Sequence, residues 1–110
     1  MSPSNDNYYQ ELFTGPLARP AELFKLLPIT VNGQRRYSAP EQLPVLILSS
    51  RKVSVNGAQQ TRTVLLLPGD VSTPDPGDLI DFDGRKRELT QIQFCRSLSG
   101  KTLAIECTVS

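Results

Sequence analysis

Asp78-Leu-Ile-Asp-Phe-Asp-Gly84, followed by Arg85-Lys-Arg-Glu-Leu-Thr-Gln-Ile-Gln-Phe-Cys-Arg96, decides the fold class. Ile80 and Phe82 alternate with Asp81 and Asp83, a period of two that puts apolar groups on one side of a strand and carboxylates on the other. Asp83-Gly84 then supplies the positive φ angles of a two-residue hairpin turn. The same grammar appears twice upstream. Ile29-Thr-Val31 runs into Asn32-Gly33 and Arg35-Arg36-Tyr37, and Val53-Ser-Val55 runs into Asn56-Gly57 before Thr63-Val-Leu-Leu-Leu67. Three such corners between β-rich runs are hard to fit to a helical protein.

The end of the chain reads as one more hairpin, with strands near Arg87–Arg96 and Lys101–Val109 joined at Ser99-Gly100. A two-residue turn there pairs Ile92 with Cys107, Phe94 with Ile105, Arg96 with Leu103 and Cys95 with Ala104. Cys107 then faces the core while Cys95 lies on the opposite, partly exposed side, so the only two cysteines should not bond. Five or six short antiparallel strands with Pro/Gly-rich joints predict a mainly all-β domain, a small barrel or sandwich with long loops.

The domain is expected to span residues 29–110, behind an arm over 1–28. Residues 1–7 read as a polar, disordered tail. Tyr8, Tyr9, Leu12 and Phe13 have the i, i+4 spacing of a short helix stopped by Gly15-Pro16, and an extended arm with apolar anchors fits equally. These four residues are candidates for an inter-subunit arm. Pro20 before Leu23, Phe24 and Leu27 suggests a second helical turn ended by Pro28, and an extended segment with apolar anchors fits equally.

The 110 residues allow one thin core, with 38% hydrophobic residues, nine Pro and no Trp. A net charge of +1 argues against a uniformly basic nucleic-acid binder. No run suits a transmembrane helix, and the polar N-terminus carries no secretory signal, so folding in a reducing cytoplasm is expected. With no His and two Cys, a zinc site within one protomer and the Ser-His-Asp and Cys-His arrangements are not expected. No phosphate-cradling glycine loop is evident. Asp70, Asp75, Asp78, Asp81 and Asp83 match no calcium-loop spacing, and read as solvated or interface acids. No catalytic residue, cofactor or metal is therefore expected, and the chain reads as a non-enzyme.

The bases form two groups, Arg35-Arg36 and Arg85-Lys86-Arg87, with Arg51-Lys52, Arg62, Arg96 and Lys101 elsewhere. Arg35, Arg36, Arg51, Lys52, Arg85, Lys86 and Arg87 are candidates for a DNA-lined channel touching phosphates without base readout. The alternative is solvated hairpin tips or ion pairs to a neighbouring subunit. Stacking platforms for single strands are not evident, since Phe82 and Phe94 fall on the inferred core face.

Leu66-Leu-Pro-Gly-Asp70, then Pro76-Gly-Asp-Leu-Ile-Asp-Phe-Asp-Gly84, then the closing hairpin from Cys95 through Ser99-Gly100 to Cys107, resembles the head-closure (head-completion, connector stopper or minor capsid) proteins of long-tailed bacteriophages. The resemblance covers roughly residues 45–109. The first 44 residues match nothing in it. It implies a small β barrel in a ring of six or twelve copies in the virion neck, made in the host cytoplasm. Its partners would be a portal or adaptor, a tail-terminator or tail-completion protein, and passing double-stranded DNA held without sequence specificity, with no membrane. The ring would retain packaged DNA and offer a docking surface to the tail. A tail-completion or adaptor protein of similar fold, or a small OB-like nucleic-acid-binding module, are the alternatives.

Overall fold

The computed structural model describes residues 5–109, with side chains described from Tyr9 to Val109. One helix, α1 (Asn5–Thr14), precedes eight strands: β1 (Arg19–Phe24), β2 (Leu26–Val31), β3 (Gln34–Tyr37), β4 (Glu41–Val55), β5 (Ala58–Pro68), β6 (Leu79–Phe82), β7 (Arg85–Arg96) and β8 (Thr102–Val109). Six of them close into a barrel in the order β1-β4-β5-β8-β7-β6, while β2 and β3 form a separate hairpin. Every barrel neighbour is antiparallel. Six strands and full closure distinguish it from the five-stranded, partly open OB barrel.

The three turn pairs form the corners expected of them. Asn32, Asn56 and Asp83 have φ of 54°, 51° and 54°, and each is followed by a glycine with φ between 75° and 81°. Both central residues are thus left-handed, and the resulting turn twist matches that of the flanking strands.

Alternation fills the barrel. Ala21 and Leu23, Leu43 and Val45, Leu65 and Leu67, Ile80 and Phe82, Leu89, and Ile105, Cys107 and Val109 form one buried cluster. A second cluster lies outside the barrel wall, where Phe13 of α1 covers Leu46, Leu66 and Ala104, with Tyr9, Leu12, Ala18 and Cys95 around it. This explains the unbroken run Leu65-Leu66-Leu67. The strand is buried on both faces there, so apolar side chains are required at every position and not at every second one.

Several expectations are corrected. Residues 19–24 are a barrel strand, so of the two readings left open the extended one holds and the helical turn does not, and the strand belongs to the barrel and not to an arm. Ala21 and Leu23 point inward, Glu22 and Phe24 outward, and the segment bridges β4 and β6. A six-residue run satisfies either period, and closing the barrel decides for the strand. The boundary at residue 28 consequently does not separate arm from barrel, since β1 belongs to the barrel and β2–β3 stands outside it. Residues 5–7, read as tail, begin α1.

The closing hairpin keeps most of its expected register but not its expected turn. Ile92–Cys107, Phe94–Ile105 and Cys95–Ala104 pair as anticipated, whereas Arg96 pairs with Thr102. Ser97 and Lys101 flank a three-residue loop with Gly100 at φ 88°. The longer loop shifts the register, and a bulge that leaves Leu103 unopposed shifts it back. Cys95 and Cys107 are both free thiols, the second buried.

The Pro/Gly-rich joint between β5 and β6 is shaped by two tight contacts. A Cβ on Gly69 would collide with the backbone carbonyl of Thr102 on β8. Asp78, read as a solvated or interface acid, is buried at 1% exposure. Its carboxylate accepts hydrogen bonds from the backbone N–H groups of Leu26 and Asp75, each at 2.8 Å, and pairs with Lys25 Nζ. A carboxylate can be buried because each of these donors replaces lost water.

Candidate functional site

The barrel has two unlike ends. At one end β4 and β5 continue past their neighbours. β1 pairs with β4 only as far as Val45, and β8 pairs with β5 only from Thr63 onward, yet β4 and β5 pair with each other out to Val55–Ala58. The six pairs from Ser50–Thr63 to Val55–Ala58 form a two-stranded ribbon about 20 Å long at a strand's rise per residue. The ribbon accounts for a radius of gyration of 15.2 Å, against about 13 Å for a compact chain of this length. At its root an extra residue, Leu48, bulges out of β4, leaving Ile47 and Leu48 38% and 50% exposed.

Charge is segregated along the barrel axis. The ribbon end gathers Arg51, Lys52 and Arg62 on the ribbon, Arg19 at the start of β1, and Arg85, Lys86 and Arg87 after the β6–β7 turn. Seven of the twelve Lys and Arg residues are thus at this end, against Glu22, Asp81 and Asp83. Asp83 is taken by Arg19, at 3.1 Å. Between Gln42 and Gly69 the chain contains no acid at all. The opposite rim carries Glu41, Asp70, Asp75 and Asp78 with Lys25, Arg96 and Lys101. There Lys25 bridges Asp75 and Asp78, and Glu41 accepts from the Ser72 N–H.

The residues singled out from sequence separate into three groups. Arg51 and Lys52 lie on the ribbon, exposed. Arg35 and Arg36 sit far from them on β3, where Arg35 pairs with Glu88 at 3.0 Å across a well-exposed contact. The run Arg85-Lys86-Arg87 is split by strand alternation. Lys86 lies along the outer wall with its ammonium 4.7 Å from the centre of the Phe24 ring. Arg87 opposes Ile80 across the ladder and caps the barrel end, its guanidinium 4.9 Å from the Phe82 ring and donating to Thr63 Oγ1 at 3.0 Å. Its Nε is buried with no partner. Arg87 therefore closes the core, and Arg85 and Lys86 are the exposed members of the three. Arg62, an isolated base in the sequence and not among the candidates, lies directly opposite Arg51. Counting back from the Asn56-Gly57 corner finds that pairing.

The N-terminal candidates turn inward. Phe13 is 8% exposed, with Tyr9 and Leu12 beside it, all packed against the chain's own barrel. The expectation that they reach a neighbouring subunit is corrected, because the outer faces of Leu46, Leu66 and Ala104 need covering within the protomer. The Tyr8 side chain lies outside the described residues. A groove of about 340 Å³ runs beside the helix, lined by Tyr9, Phe13, Pro68, Gly69, Asp70 and Lys101. Among the described residues no group of three or more His, Cys, Asp or Glu is arranged to hold a metal ion, and no helix is long and apolar enough to cross a membrane.

Two thiols complete the inventory. Burial, aided by Glu106 and Asp78, pushes Cys107 up to about 12. Burial and then Glu106 raise Cys95 above its usual range. Neither is poised as a thiolate. Compared with known proteins, the chain matches no family model and no curated sequence.

Proposed function

We propose that this chain is a structural subunit of a phage head-to-tail connector: a head-closure ring component that holds packaged DNA in the head and presents a docking surface to the tail. The observation that carries the reading is the polarity of the barrel. One end bears an acid-free basic ribbon, and the other bears a carboxylate-rich rim in a chain of near-neutral total charge. Identical subunits standing side by side in a ring align such polar axes and present chemically different faces above and below. A connector stands between two unlike neighbours, the portal or adaptor and the tail, and needs two different faces. The near-neutral total limits repulsion between like subunits around the ring. The likeness of residues 45–109 to head-closure proteins supports the same assignment, and supplies the expectation of six or twelve copies.

Sedimentation and negative-stain imaging of the purified chain, alone and with a portal–adaptor assembly from the same genome, test this. Closed rings with the partner are expected. A monomer or a tight dimer that persists in the presence of that assembly would overturn the proposal.

A further inference from the structure

The ribbon carries a second, more specific reading. Arg51 and Arg62 are direct cross-strand partners, about 5 Å apart at Cβ in an antiparallel pair. Like charges so placed repel. Arg51, Arg62 and Lys52 make no ion pair among the described residues. Lys52 opposes Thr61 and, by alternation, projects from the other face. The remaining ribbon side chains between Ser50 and Thr63 are small or uncharged. The element is thus a thin blade, about 20 Å long, with cations on both faces and no aromatic ring.

We infer that the ribbon is a sequence-independent contact for the phosphates of double-stranded DNA. A two-stranded ribbon fits the major groove of B-DNA, which is about 12 Å wide and walled on both sides by phosphate. Cations on both faces suit two negative walls, whereas a docked protein surface would satisfy one face only. Without aromatic residues the ribbon offers no stacking platform for single strands. Three cations per copy give a weak, salt-screened contact that a ring repeats and that lets DNA slide. The inference deepens the connector reading, on which its biological meaning rests. Its chemistry rests on the ribbon.

Amide NMR of the full chain, titrated with two short duplexes of unrelated sequence at stepped salt, tests it. Shifts confined to residues 49–63 and the Arg85 corner are expected, alike for both duplexes. Each phosphate contact contributes a salt slope of about 0.9, so the wild type should lose about fortyfold in affinity between about 50 and about 200 mM salt, and Arg51→Gln/Arg62→Gln about three- to fourfold. Arg51→Lys/Arg62→Lys should keep the wild-type slope, and Arg35→Gln/Arg36→Gln should leave it unchanged. No shifts at the lowest salt, shifts centred on Arg35–Tyr37, or an unaltered slope in the double Gln variant would overturn the inference. So would ribbon shifts that appear on concentrating the protein without DNA, together with shifts at Glu41 and Asp70, since these assign the ribbon to a second copy. Ring formation is read independently: rings with no DNA contact retire the ribbon inference alone, and DNA contact with no rings retires the connector alone.

Discussion

Replacing Asp78 by Asn should unfasten the β2–β3 hairpin from the barrel. The Asp78 side chain is 2% exposed. Its Oδ1 accepts from the Leu26 N–H, and its Oδ2 accepts from the Asp75 N–H and from Lys25. An Asn in the same rotamer keeps the first bond and turns an NH₂ group toward two donors. Two hydrogen bonds to a charged acceptor are lost, worth about 1.5–3 kcal/mol each. Lys25 offsets part of this, because its side chain is 27% exposed and can rehydrate. A net loss of about 2–4 kcal/mol follows, a large share of the roughly 5–15 kcal/mol that stabilises a small domain. At about 4–8 °C per kcal/mol for domains near this size, Tm falls by roughly 8–32 °C. Urea unfolding of the wild type, Asp78→Asn, Lys25→Gln and the double variant measures it. The two single losses should exceed the double loss by about 1–2 kcal/mol, because the residues share a bond. A single Asp78→Asn loss under about 0.5 kcal/mol, or full additivity, would refute the assigned network. The network also sets an alkaline limit. Burial lowers the Lys25 value, but the bonds to Asp78 and Asp75 outweigh it, so the folded pKa lies above the ordinary 10.5. The Lys25 contribution is complete below that pH and disappears as pH rises through the folded value. Asp78→Asn should flatten that decline.

Phe13→Ala should cost about 3–4 kcal/mol and raise dye binding, since it uncovers Leu46, Leu66 and Ala104 while leaving the barrel interior intact. A loss below about 1 kcal/mol would mean that α1 is only loosely held. The two thiols should alkylate in order at mildly alkaline pH, Cys95 slowly and Cys107 only as fast as the chain unfolds, with no intramolecular disulfide under mild oxidant. Rapid modification of Cys107 in the folded chain, followed by peptide mass mapping, would contradict its placement inside the barrel.

Local chemistry made much of the fold legible. Asn-Gly and Asp-Gly corners fixed three hairpins, because only residues tolerant of positive φ populate both turn positions. Period-two alternation placed Ile80, Phe82, Ile105 and Cys107 inward. What escaped reading depends on distant partners. Residues 19–24 read equally as a helical turn or an extended segment, because Leu23, Phe24 and Leu27 suit either spacing. The strand is dictated by β4 and β6, which lie far away in sequence. Asp78 looked like one of five surface acids, and its burial requires Lys25 and Leu26, more than fifty residues earlier. Tyr9 and Phe13 were recognised as anchors, but their target was misjudged: the doubly apolar run Leu65-Leu66-Leu67 already signalled a strand needing cover on its second face. Among the bases, runs in sequence misled. Arg85-Lys86-Arg87 scatter by alternation, whereas Arg51 and Arg62, eleven positions apart, stand side by side.

Between Arg51 and Arg62 the blade's strands pair only with each other among the described residues, so its length is decoupled from the core. Residues added or removed in opposed couples at the Asn56-Gly57 corner preserve the register at the root and disturb no interior side chain. A lineage built on this scaffold can therefore retune how far each blade extends while its barrel stays constant. Indels would then concentrate at one corner of the chain, leaving the remainder to drift by substitution alone.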